Sequence, residues 1–137
     1  MTKTGLAVSG AVALCLGLAA CADTQSKKSG SGQVIYDSYC VTCHGSAGQG
    51  DGRIADQLPV PPANLTLLSD TNDGVFPTER VMTQIFGYPG RFHQGMMPEF
   101  GPILDGPLVE WTGPDGQTVM TPQALIDLVS YLESLQQ

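Results

Sequence analysis

Positive charge is scarce in this chain: six lysines and arginines stand against 13 aspartates and glutamates in 137 residues. A net charge of −7 at pH 7 disfavours a nucleic-acid partner, whose phosphates need a basic surface, and suits a basic protein partner instead. Histidine is nearly absent, with His44 and His93 alone. Carboxylates are scattered and no serine or cysteine nucleophile has a persuasive histidine partner, so nucleophilic catalysis has no visible machinery. Outside the N-terminus there is no apolar run long enough to span a bilayer. Glycine and proline, by contrast, are plentiful: 17 and 10 residues, a fifth of the chain, which implies much loop and little sheet. The length is that of one domain.

The first twenty residues have the pattern of an export signal. Lys3 is their one basic residue, Leu6 to Ala20 is apolar, and small residues close the segment. Leu18-Ala19-Ala20-Cys21 resembles the lipobox of bacterial lipoproteins, which implies lipidation of Cys21 as the mature N-terminus. An ordinary cleaved signal, or an uncleaved anchor, are the alternatives. Cys15 lies inside the apolar segment and is discarded with it. Residues 22 to 32 are rich in Ser, Lys and Gly and read as a flexible linker. From Gln33 onward, twelve acidic residues face only Arg53, Arg80 and Arg91, a net charge of −9.

Three helices are expected in the folded part. Gln33 to Cys43 follows the breakers Gly30-Ser31-Gly32 and carries Val34, Ile35 and Tyr39. Pro77 to Phe86 has a first-turn proline, an early Glu79, an apolar face of Val81, Met82, Ile85 and Phe86, and Gly87 as its stop. The last helix has Thr121 as cap, Pro122 in its first turn, and a stripe of Leu125, Ile126, Leu128, Val129, Leu132 and Leu135. Between the second and third, Val109–Trp111 and Thr118–Met120 flank Gly113-Pro114-Asp115-Gly116, a strong turn signal, so a small hairpin is expected at about 108–120. No internal repeat is visible. Three short helices provide a thin apolar core for about 105 residues, and such domains usually need a disulfide, metal or cofactor as staple.

Cys40-Val41-Thr42-Cys43-His44 is the attachment pattern of c-type haem. Two cysteines three apart on a helical turn can form thioethers to the two vinyl groups on one side of a porphyrin, and the adjacent histidine presents its imidazole to the iron. Three other readings compete. The cysteines could form a disulfide, but a thioredoxin-like redox pair would require alternating strands around the motif, which are absent. Zinc would need two further ligands, and the mature chain offers only His93 and Cys21.

From this motif outward, over roughly residues 32–135, the chain resembles the class I cytochromes c. Gly45-Ser46-Ala47-Gly48-Gln49-Gly50-Asp51-Gly52 is similar to that family's glycine-rich stretch, Pro59-Val60-Pro61-Pro62-Ala63-Asn64-Leu65 to its proline segment, and Met97-Pro98-Glu99-Phe100 to its distal-ligand segment. The terminal helix, with Leu128 and Tyr131, is similar to the one that crosses the first helix near Gly32 and Tyr36. The resemblance implies an all-α cytochrome c fold around one covalently attached haem c, with His44 and Met97 as axial ligands and a proline carbonyl from Pro59, Pro61 or Pro62 orienting His44. Pro98 pushes Met97 toward an extended conformation suited to a projecting loop residue. Met96 and His93 are the alternatives for the sixth position, while Met82 reads as core. Arg53, Asn64, Tyr88, Arg91 and Trp111 are candidate donors to the propionates.

The expected organisation is a signal peptide over 1–20, a lipidated N-terminus and linker over 21–32, and a cytochrome c domain over 33–137. The expected function is single-electron transfer between respiratory redox proteins on the periplasmic side of a bacterial membrane, tethered through Cys21 (alternatively soluble in the periplasm). Partners with basic docking surfaces are expected, and neither a small-molecule substrate nor catalysis. A haem enzyme or gas or redox sensor with an opening sixth site, and a fixed electron-wiring subunit of a larger complex, are the competing functions. The stretch Gly101–Thr121 exceeds a minimal loop. It is either a docking flap or haem-edge shield, or filler that packs Trp111 on the core.

Overall fold

An apolar stripe on the last helix, and a glycine and a tyrosine on the first, bring the two ends of the folded region together. The computed structural model describes residues 22–87 and 95–137. Helix α1 is Ala22–Tyr39, α2 Val41–His44, α3 Thr78–Phe86 and α4 Gln123–Ser134. Strands β1, Leu108–Thr112, and β2, Thr118–Pro122, form an antiparallel hairpin. Short 3-10 turns at Ala55–Gln57, Leu65–Leu67, Asp70–Asn72 and Gly101–Ile103 punctuate the connections. The structure is mostly helical, as expected, with the hairpin where the turn signal placed it. No described helix is long and apolar enough to cross a membrane.

The first helix begins at Ala22 rather than Gln33, so the backbone of 22–32, expected as linker, is helical. Alanine, lysine and glutamine there are good helix formers, and the glycines do not stop the helix. Its buried face also differs from the expected one. Val34 and Tyr39 are exposed, whereas Tyr36 is fully buried, one turn after Gly32. A Cβ on Gly32 would lie 2.7 Å from the Asp127 carbonyl carbon and 2.7 Å from Tyr131 Cβ. Only a residue without a side chain lets the two backbones approach this closely. One turn on, the Tyr36 and Tyr131 rings pack 5.4 Å apart at 54°, a favoured tilted aromatic arrangement.

Around that crossing, Leu125, Leu128, Val129 and Leu132 of α4 bury with Val81, Met82 and Ile85 of α3 and with Leu104. Met82 is core, as expected. Helix α3 ends at Gly87 in the left-handed conformation, with its N–H donating to Thr83 O at 3.0 Å. The start of α4 differs from expectation. Thr121 belongs to β2 and is fully buried, and Pro122 takes the cap position without a side-chain cap bond. Proline at this point ends the ladder and turns strand directly into helix. Gln123 N–H donates to Pro107 O at 2.9 Å, fastening the hairpin's base to α4. Trp111 is half-buried against the core.

Candidate haem site

Cys40 lies between α1 and α2 in helical conformation, and the N–H groups of Cys43 and His44 both donate to its carbonyl, at 3.1 and 2.9 Å. The turn is therefore helical across the motif, and residues three apart on it share a face. Both cysteines are half-buried and neither is in a disulfide. Burial, then the neighbouring Cys43, pushes the Cys40 thiol up to about 11. Redox-active Cys-x-x-Cys pairs have the opposite shift. The motif is thus built on helices and lacks the lowered thiol of an exchange pair.

The half-buried His44 places Nδ1 3.0 Å from Ala63 O. A carbonyl oxygen only accepts, so Nδ1 carries the proton and the lone pair resides on Nε2. Burial lowers the pKa of His44, against an upward effect of the Ala63 bond, so the ring is held neutral, as a metal ligand must be. The expected acceptor is a proline carbonyl from Pro59, Pro61 or Pro62. The structure has Ala63 in that position instead, the next residue along. The carbonyls of Pro62 and Ala63 both lie close to Gly50, where a Cβ would meet them at 2.5 and 3.3 Å, so this approach of the segment needs a glycine.

The glycine-rich stretch folds back on the motif and completes it. Gly45, at φ +78°, ends α2 in a conformation that favours glycine. Gly50 N–H then donates to His44 O at 2.8 Å, Gly52 N–H to Cys43 O at 3.0 Å and Ile54 N–H to Thr42 O at 3.3 Å. These satisfy carbonyls that the end of a helix would otherwise leave open. Tyr36 Oη donates to Gly45 O at 2.6 Å, tying the α1–α4 crossing to the motif. Leu65 N–H donates to Gly48 O at 2.7 Å, and Gln136 Nε2 donates to Leu65 O at 2.8 Å. The Ala63 segment is thereby braced from the glycine loop on one side and the C-terminus on the other.

Of the sixth-position candidates, Met97 is half-buried against the core while Met96 is 61% exposed. His93 lies outside the described residues, as do Cys21, Tyr88 and Arg91. Among the propionate candidates, Arg53 is exposed and Trp111 packs on the core. Asn64 Oδ1 accepts from Thr66 N–H at 3.0 Å and from Thr66 Oγ1 at 2.8 Å. Ala63 has no signal in the sequence, because a backbone carbonyl carries no residue signature. Its place immediately after two prolines is the only clue.

Two thiols across one helical turn and a neutral imidazole fixed through Nδ1 fit the two thioethers and one iron–nitrogen bond of a c-type haem. No individual curated protein matches the chain. The cytochrome c family model matches residues 29–136, taking in the attachment motif, the glycine loop, the Met97 segment, the hairpin and α4. On that match and this geometry, the chain belongs to the cytochrome c family, haem-based electron carriers with covalently attached haem c.

Proposed function

We propose that this protein is a membrane-tethered, periplasmic-side cytochrome with one haem, passing single electrons between respiratory redox proteins. The His44–Ala63 hydrogen bond carries the reading, because it leaves Nε2 as the coordinating nitrogen of a ring already fixed in tautomer and orientation. In this assignment Cys40 and Cys43 hold the porphyrin, His44 is the proximal ligand and Met97 supplies the second axial ligand. The haem supplies one-electron exchange between ferric and ferrous iron when bound. Met97's partial burial against the core supports its role over the adjacent Met96, which is largely in water.

The chain's own groups set the rest. A sulfur ligand would raise the reduction potential relative to two histidines, and with His44 and Met97 both bound to the iron no position would be left for a substrate. Cys21 is the proposed lipid attachment. The surplus of carboxylates from Gln33 onward is complementary to partners with a basic docking surface, which predicts electron-transfer rates that fall as ionic strength rises. Rates independent of salt would remove the charged-partner proposal. The test of ligation is an optical spectrum of holoprotein, oxidised, reduced, and reduced under carbon monoxide. The expected result is a covalent low-spin haem indifferent to carbon monoxide, with a sulfur–iron band that Met97→Ala abolishes. A haem that binds carbon monoxide would favour a sensor or enzyme. Cys21→Ala is expected to release the protein from the membrane fraction, and retention there would refute the tether.

A further inference from the structure

Met97 is followed by a segment that is pinned to one end of α3. Phe100 N–H donates to Ile85 O at 2.8 Å, satisfying a carbonyl in the last turn of that helix. The next residue is Gly101, where a Cβ would lie 2.5 Å from Phe86 O and 3.5 Å from Phe86 C. Such a distance to a fixed backbone atom is not sterically accessible. The Glu99 side chain packs over Gly87, the residue that ends α3: a Cβ there would come within 2.6 Å of Glu99 Cγ and 2.8 Å of Oε2. Residues 99, 100 and 101 therefore all touch the last turn of α3 or its cap, immediately after Met97-Pro98.

We propose that Gly101 and the Phe100–Ile85 hydrogen bond form a clasp that positions Met97, with Gly101 a positioning residue for the sixth ligand. The proposal rests on Met97 being that ligand. Three residues of chain span at most about 10 Å, and Pro98 stiffens the first of the links. Fixing Phe100 to α3 therefore keeps the Met97 backbone within about 10 Å of the end of that helix. Helix α3 is itself held by Val81, Met82 and Ile85 in the core, so the clasp transmits the rigidity of the core to a loop residue. Gly101 opens a 3-10 turn and its φ is outside the left-handed region. An alanine there adds a wedge against Phe86 O to the moderate cost of a Cβ in helical conformation before Pro102. Gly87 is a poorer probe, because its φ of +73° adds strain to any substitution.

The experiment compares wild-type, Met97→Ala and Gly101→Ala holoproteins, reading the sulfur–iron band, carbon monoxide binding and reduction potential, with circular dichroism as the check on folding. The clasp predicts that Gly101→Ala retains helix content and haem but loses the band at lower urea than wild type. It also predicts carbon monoxide binding in the reduced form and a lower potential. Glycine merely filling space would move the unfolding midpoint without moving the potential or the band. An unchanged band, potential and carbon monoxide response in Gly101→Ala, beside a changed Met97→Ala, overturns the clasp alone. A Met97→Ala spectrum like wild type overturns the ligand assignment and the clasp with it. Hydrogen exchange in the wild-type holoprotein decides independently should Gly101→Ala not fold. Protection of the Phe100 amide at the level of the α3 amides is expected, and exchange at the solvent rate overturns the proposal.

Discussion

At the crossing of α1 and α4, Gly32 brings two backbones into contact and Tyr36 is fully buried beside Tyr131. In the β-hairpin, the register pairs Val109 with Thr121 and Trp111 with Val119 on one face, and Glu110 with Met120 on the other. The first face carries the half-buried Trp111 and the buried Thr121, while on the second Leu108 and Met120 are 56% and 54% exposed. One region is closed on every side and tied to the haem motif through Tyr36 Oη. The other is anchored by a single face and its base. Burial among the described residues is concentrated on α4, on α3 and at Tyr36, and the inner face of the hairpin packs on that core through Trp111.

The contrast predicts a descending series of effects. Gly32→Val places a branched side chain against the Asp127 backbone, which cannot yield, and should cost about 3 kcal/mol in urea unfolding of the holoprotein, at the upper end for overpacking. A variant as stable as wild type would mean that the two helices do not cross at backbone contact. Trp111→Ala should cost about 2 kcal/mol, below the range for fully buried aromatics because the ring is half-buried. If it costs nothing, the inward face of the hairpin is not part of the core.

Tyr36→Phe keeps the ring and removes the hydrogen bond to Gly45 O, a loss of about 1 kcal/mol. It also sharpens the comparison through pH. Burial first, then nearby acidic groups including Asp51 and Asp37, raises the Tyr36 pKa above its ordinary 10.0. The unfolded chain therefore releases this proton first, and the wild type keeps the contribution below pH 10 and loses it as pH rises beyond that value. Tyr36→Phe should be less stable at neutral pH but show a shallower alkaline decline. Parallel pH profiles would contradict the buried phenol. Smallest of all, Met120→Ser on the outer hairpin face should change stability by less than about 0.5 kcal/mol. A larger loss would mean that this face is covered.

Much of the site is legible in the sequence. Cys40, Cys43 and His44 announce themselves because attachment chemistry demands both their identities and their spacing. Helices α3 and α4 follow from apolar periodicity and Gly87, and the hairpin from Gly113-Pro114-Asp115-Gly116. Helix α1 is harder to read, because its packing depends on a missing side chain. Periodicity selects Ile35, which packs against the core, but also Val34 and Tyr39, which face solvent, and is blind to Gly32, whose value lies in having nothing to count. The family resemblance points to Gly32 and Tyr36 where hydrophobicity does not. Thr121 misleads for a related reason: a threonine before a proline is a good helix cap in isolation, but pairing with Val109 draws it into the strand. Ala63 is illegible because its contribution is a backbone oxygen.

The α1–α4 crossing joins residues far apart in the folded region, whereas the bonds that shape the attachment motif and the glycine loop are between near neighbours in sequence. Closing a long loop costs chain entropy before its contacts repay it, and distant pairings slow folding. Cys40, Cys43 and His44 thus acquire their helical turn from local bonds, while α4, which packs on α1, is the costliest element to bring into place. The helical turn of the motif can therefore form while the chain is still open, before α4 docks against Gly32.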